Sequence, residues 1–212
     1  MTGRNAKALL HNVATYYANT LTQYGPTAKG VDWNGEESQR NRFQQLSKVI
    51  ASTAHFGVND IGCGYGALFD YLQEAYPSFD YCGLDVADAM IQAARAQHQE
   101  QPQAYFRQGT QPPHPQDYSI ASGIFSVCLD TPAPQWLEYI HETLVTLDAS
   151  SKKGFAFNCL TSYSDPEKMK PHLYYANPCE LFDFCKRTFS KQVALLHDYG
   201  LFEFTILVRK DG

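Results

Sequence analysis

From Phe56 onward the chain switches again and again between two hydrophobic periods, and this alternation restricts its fold more than any other feature. Phe56 to Ile61 is a short apolar run that stops at glycines. The next segment sets Leu68, Tyr71, Leu72 and Ala75 at helical spacing, and Pro77 ends it. FDYCGLD reads as a second strand, and Asp88 opens a helix with Met90, Ile91 and Ala94 inward. AYFRQG is a third strand. DYSIASGIFSV is a continuous apolar run, as expected of a central parallel strand buried on both faces. Thr131 and Pro132 open a helix facing inward through Leu137, Ile140, Leu144 and Leu147; KGFAFNCL is a strand and CELFDFCKRTF a helix. KQVALLHD and LFEFTILVR are two further strands joined at Tyr199-Gly200. Strands and helices in alternation predict a doubly wound α/β sheet of seven mostly parallel strands. No helix fits between the last two strands, so the last must run antiparallel.

The first 50 residues obey a different pattern. Residues 7 to 21 place Leu10, Val13, Ala14, Tyr17 and Leu21 on one helical face. The loop QYGPTAKGVDWN follows, and Asn34 with Glu37 three residues on predicts a capping box for a second helix facing inward through Phe43, Leu46, Val49 and Ile50. We therefore expect one domain over 1–212, with a helical cap or lid over 1–50 and the α/β core over 51–212. A chain of 212 residues, 44% of them hydrophobic, can bury a core of that size. The net charge of -5 and the scattered Lys and Arg argue against a nucleic-acid partner. The longest apolar run is too short to span a bilayer, and MTGRNAKALLHNVA lacks the pattern of a secretion signal. Six cysteines without CxxC spacing read as reduced thiols, which fits a cytoplasmic protein, and the histidines form no ligand pair, so no metal site is expected. Oligomeric state is not encoded in any of these features.

In an open α/β sheet the ligand lies beyond the C-terminal ends of the strands, so the first strand-to-helix turn is the binding turn. Gly62, Gly64 and Gly66 let the backbone pass close to a ligand. Asp85 ends strand two at the distance where a carboxylate can take both ribose hydroxyls, each bond worth roughly 1.5–3 kcal/mol. The pair points to a nucleotide. On paper GCGYGA fits the GxGxxA of a nicotinamide-dependent oxidoreductase. Asp60 argues against it, because a carboxylate just before the glycines would repel a pyrophosphate but suits an ammonium group. The third glycine of GxGxG and the antiparallel last strand argue the same way.

DIGCGYG resembles motif I of the class I S-adenosylmethionine-dependent methyltransferases. GLDVADAMIQAA resembles their acidic ribose-binding motif with its following helix, and DYSIASGIFSV is similar to their fourth strand. The resemblance covers roughly residues 50 to 210. It implies a Rossmann-like fold and S-adenosyl-L-methionine as cofactor. Asp60 would face the methionine amino end, and the loop from Gly62 through Cys63 and Gly64 to Gly66 would pass under the cofactor. Asp85 would bind the ribose, with Val86 and Met90 along the adenine. Gly109-Thr110 stands where the family often carries an Asp for the adenine amino group, which leaves a backbone contact there. Ser122 and Gly123 would approach the cofactor from strand four.

Methyl transfer from a sulfonium is an in-line displacement with a neutral leaving group, so alignment and water exclusion dominate. A base is needed only where the acceptor must lose a proton. Acceptor contacts are expected from the cap, through Tyr16, Tyr17, Asp32 and Trp33, and from TSYSDPEKMKPHLYYANP, through Tyr163, Asp165, His172, Tyr174 and Tyr175. Aromatic rings there can hold a flat or cationic group. Tyr16, Tyr17, Trp33, Tyr174 and Tyr175 are the substrate-binding candidates. His172 is the loop's base suited to neutral pH and, with Tyr163, the catalytic candidate; a surface histidine is the plain alternative, as is a core role for either cap tyrosine. The expected activity is O- or N-methylation of a small-molecule acceptor. A non-catalytic cofactor-binding partner module is the alternative from another class.

Overall fold

The computed structural model describes residues 3–52 and 54–210, with side chains from residue 8 onward. Met1, Thr2, Thr53, Asp211 and Gly212, which the expected domain limits include, lie outside the described residues. Helices α1 (Gly3–Tyr24) and α2 (Glu36–Ser47) precede a core in which β1 (Phe56–Ile61), α3 (Ala67–Ala75), β2 (Phe79–Asp85), α4 (Asp88–Gln97), β3 (Ala104–Gln108), β4 (Gln116–Ala121), α5 (Ala133–Ala149) and β5 (Ser151–Thr161) alternate. The short β6 (Tyr175–Ala176), α6 (Pro178–Thr188), β7 (Gln192–Leu196) and β8 (Glu203–Arg209) complete the chain.

The sheet order is β3-β2-β1-β4-β5-β8-β7, with β6 paired to β5 off this path. The pairs among β3, β2, β1, β4 and β5 are parallel, and β8 runs antiparallel to both β5 and β7. The order reverses between β1 and β4, which makes the crevice above those two strand ends the ligand position of such a sheet. Each face buries its own core. Phe43 and Leu46 of α2, Leu68 and Leu72 of α3 and Ile91 of α4 pack on one face. Trp136, Ile140 and Leu144 of α5 and Leu181 of α6 pack on the other with Phe155 and Phe157 of β5.

Three local expectations are corrected. The capping box at Asn34 does not form: Gly35 precedes α2 in extended geometry with no side-chain cap. Residues 33–35 instead run as a strap that lays Trp33 on Gly123. The apolar run 117–127 does not continue as strand past Ala121. Gly123 takes a left-handed φ of 76° and donates its N–H to Asn158 Oδ1 at 2.8 Å, which turns the chain out of the sheet. Finally, β6 adds a two-residue strand in a stretch rich in polar and aromatic residues, too short to show a period.

Candidate functional site

A cavity opens above the ends of β1, β2, β3 and β4, roofed by α1, the 25–35 loop and α2. Its floor is the turn after β1. Gly62 and Cys63 both donate their N–H to the Leu84 carbonyl, at 2.7 and 2.9 Å, which ties the turn to β2. Gly62, Gly64 and Gly66 all have left-handed φ, at 82°, 55° and 92°. A Cβ at Gly66 would lie 2.6 Å from the ring of His98. That ring is buried and held by the Ala94 carbonyl and Asp70, both at 2.9 Å, so it cannot yield. His98 is thus a prop for the glycine turn that sequence reading passed over.

Two carboxylates line the cavity. Asp60 is 1% exposed; its Oδ2 accepts from Tyr81 at 2.5 Å, while Oδ1 is buried with no partner. Burial raises its pKa to about 7, against the Tyr81 bond, with the Asp85 charge adding to the rise. Asp85 accepts from the N–H of Gly64 at 3.0 Å and of Ala87 at 2.8 Å. Burial pushes its pKa up, and the backbone donors of Ala87, Gly64 and Val86 pull it back. Asp85 therefore fixes the glycine turn as well as presenting a carboxylate. Ser122 Oγ is a further cavity-lining polar atom that is buried without a partner.

The structure brings Asp60, Gly62, Cys63, Gly64, Asp85, Val86, Met90, Gly109, Thr110, Ser122 and Gly123 to the one cavity. Gly66 sits just behind it as the N-cap of α3. Of the acceptor candidates, Tyr17 and Trp33 line the same cavity. Tyr16 turns away to donate to Asp32 at 2.9 Å. His172, Tyr163, Tyr174 and Tyr175 do not line it. His172 gives its carbonyl to the N–H of Cys128 and Leu129, with its ring 6.3 Å from that of Tyr16. Tyr163 is 68% exposed and packs near His197. Tyr174 donates its N–H to Ser126, and the Tyr175 hydroxyl accepts from Lys170. The long loop is drawn off by a bridge between Val127 and Leu173 and by β6 pairing to β5.

Sequence reading missed Tyr139, Gln39, Phe43 and Tyr65, which line the cavity. Tyr139 lies one position before Ile140, so a helix periodicity that assigns Ile140 to the core gives no reason to single it out. Burial pushes its phenol up to about 12, and the Tyr17 phenol higher still, so both are hydrogen-bond donors at neutral pH. No cationic side chain lines the cavity among the described residues. Also among the described residues, no group of three or more potential ligands is gathered for a metal, and no helix is long and apolar enough to cross a membrane.

Residues 59–146 match the methyltransferase domain family. The chain is 52% identical over 163 residues to the Mycobacterium tuberculosis protein Rv1506c, which is named as a methyltransferase; the match covers 77% of this chain and 98% of that protein. Among solved structures, the fold is similar to magnesium protoporphyrin IX methyltransferase from Synechocystis PCC 6803 with bound S-adenosylhomocysteine, at 14% identity, with a TM-score of 0.67 and 95% and 99% of the two chains covered. It is equally similar to the DhpI–S-adenosylhomocysteine complex, at 13% identity, a TM-score of 0.67 and coverage of 95% and 96%.

Proposed function

Because the chain belongs to the methyltransferase domain family, we propose that it is a class I, Rossmann-like enzyme whose cavity above β1 and β4 holds S-adenosylmethionine and presents its methyl group to a small acceptor under the helical cap. The observation that carries the reading is the Asp60 carboxylate, buried at the cavity with one oxygen already held by Tyr81 and the other unpartnered. A buried unpaired carboxylate oxygen is costly. A cationic ligand relieves that cost, and the cofactor carries both a sulfonium and an ammonium. The glycine turn suits a ligand too, since Gly62 and Gly64 line the same cavity and place no side chain in it.

In this reading Asp60 receives the ammonium group and Asp85 the ribose hydroxyls. Val86 and Met90 flank the adenine, with the Gly109-Thr110 backbone at its edge. Ser122 and Gly123 border the reacting end. When bound, the cofactor supplies an electrophilic methyl whose donor sulfur leaves as a neutral thioether. The protein then aligns the acceptor and excludes water. Tyr17 and Tyr139 donate hydrogen bonds to the acceptor rather than remove its proton, because both phenols are held neutral. The two carboxylates disfavour an anionic acceptor. A neutral or cationic small molecule with an aromatic or apolar body and a hydroxyl or amino group fits the walls formed by Trp33, Phe43, Val13 and Tyr139.

Calorimetric titration with S-adenosylmethionine, S-adenosylhomocysteine and NADH tests the cofactor reading. Micromolar binding of the first two and none of NADH is expected; NADH binding alone would overturn it. A panel of small hydroxylated and amino compounds, scored by S-adenosylhomocysteine release, then tests the acceptor reading. Turnover confined to anionic members would contradict it.

A further inference from the structure

Five residues close a ring of contacts at one end of the cavity. Gly123 donates its N–H to Asn158 Oδ1 at 2.8 Å. Asn158 Nδ2 donates to Glu203 Oε2 at 2.6 Å. Glu203 accepts from Arg42 through Nε at 2.8 Å and Nη2 at 2.5 Å. The Arg42 guanidinium lies 3.9 Å from the centroid of the Trp33 ring. Trp33 rests on Gly123 so closely that a Cβ there would collide with its six-membered ring. The ring thus joins the cap loop, α2, β8, β5 and the turn after β4. Only Trp33 and Gly123 face the cavity.

Stability alone does not explain this arrangement. Arg42, Asn158 and Glu203 are 5%, 0% and 1% exposed. A buried ion pair is commonly no better for stability than well-packed apolar residues of the same volume. This one also leaves Arg42 Nη1 buried with no partner, a further cost. What the pair does supply is geometry. A planar guanidinium gripped along one edge by Glu203 has a fixed orientation, and it lies over the indole ring. The same Glu203 orients Asn158, which fixes the Gly123 peptide on which the indole edge sits. Both sides of the Trp33–Gly123 contact are therefore set by one carboxylate.

We propose that Trp33 is a wall of the methyl-transfer end held in one orientation, and that Arg42, Glu203 and Asn158 are positioning residues that act through it and through Gly123. The inference rests on the cofactor reading for which end of the cavity is the reacting one. The ring holds the cap loop down on the turn after β4, so the wall is in place before ligand arrives.

The chain has two tryptophans, Trp33 and the core residue Trp136. Fluorotryptophan labelling of the full chain therefore yields two fluorine NMR signals, assigned with Trp33→Phe. Saturating S-adenosylhomocysteine is expected to shift the Trp33 signal and leave that of Trp136 in place. In ligand-free protein, replacing the ion pair by Arg42→Met with Glu203→Met should broaden or displace the Trp33 signal alone. It should also weaken S-adenosylhomocysteine binding about tenfold, or ~1.4 kcal/mol. Arg42→Lys keeps the charge but loses the plane, so it should displace the Trp33 signal in the same way; it also serves if the double variant does not fold. A Trp33 signal that ignores both replacements overturns the positioning circuit. One that ignores bound S-adenosylhomocysteine overturns its place at the reacting end. Absence of any calorimetric binding instead rejects the cofactor reading, and the ligand-free comparison still decides the circuit.

Discussion

Tyr81 donates its phenolic proton to Asp60 Oδ2 at 2.5 Å, across the paired strands β2 and β1, and the other oxygen of that carboxylate has no partner. The hydrogen bond lowers the Asp60 pKa, but burial outweighs it and holds the group at about 7. Asp60 of the ligand-free protein therefore changes protonation state near neutral pH. A neutral carboxyl group cannot attract an ammonium, so cofactor binding should tighten as pH rises through about 7. Below that value, affinity should fall about tenfold per pH unit. Calorimetry of S-adenosylhomocysteine between about pH 5.5 and 8.5 checks this; a flat profile would sink the assignment of Asp60. Stability runs the other way. The folded pKa lies above the ordinary 3.8, so the folded state binds the proton more tightly and stability declines as pH rises from about 4 to 7. Asp85 is shifted in the same direction. Asp60→Asn should thus flatten the pH dependence of urea unfolding without removing it.

Asp85→Ala should weaken cofactor binding by at least tenfold, about 1.4 kcal/mol. Two losses combine: the ribose bonds, and the anchor that Asp85 gives the Gly64 N–H at 3.0 Å. Unchanged affinity for S-adenosylhomocysteine in a folded variant would reject the ribose assignment.

The parts legible in the sequence are those whose physics is local. Asp60, the glycines and Asp85 occupy the ends of two strands whose limits follow from period and from Pro77 and Asp88. The ring through Trp33 is of the opposite kind. Arg42 and Glu203 stand 161 positions apart, and nothing near either in sequence predicts the other. The 161–178 loop attracted attention by composition, since tyrosines and a histidine suit a binding surface. Its path is decided by two tertiary pairings, Leu173 with Val127 and β6 with β5, that composition does not encode. The failed capping box has the same origin. Asn34 could cap a helix locally, but Trp33 just before it is seated closely on Gly123, and Gly35 rather than Asn34 leads into α2.

Gly66→Ala should destabilise the fold by ~2 kcal/mol or more. Its φ of 92° is strained for any residue with a Cβ. The added carbon would meet His98 at 2.6 Å and Phe106 at 3.2 Å. Both rings are buried and cannot swing out. Urea unfolding measures the effect, and a midpoint equal to that of the unsubstituted protein would show that the turn relaxes freely.

Tyr139 and His172 separate two accounts of the acceptor site. Tyr139 lines the cavity from α5, whereas His172 does not. If acceptor recognition is made inside the cavity, Tyr139→Phe removes one hydrogen bond and should lower kcat/KM about fivefold, or ~1 kcal/mol, with cofactor affinity intact. Tyr17→Phe should act likewise. His172→Ala should leave both the rate and its pH profile as they are. These measurements use whichever acceptor the release assay finds. A loss of turnover in His172→Ala, with the Tyr139→Phe rate unchanged, would move the acceptor from the cavity to the 161–178 loop. It would also require that loop to fold over the cavity mouth during turnover, because its base would otherwise have no path to the acceptor's proton.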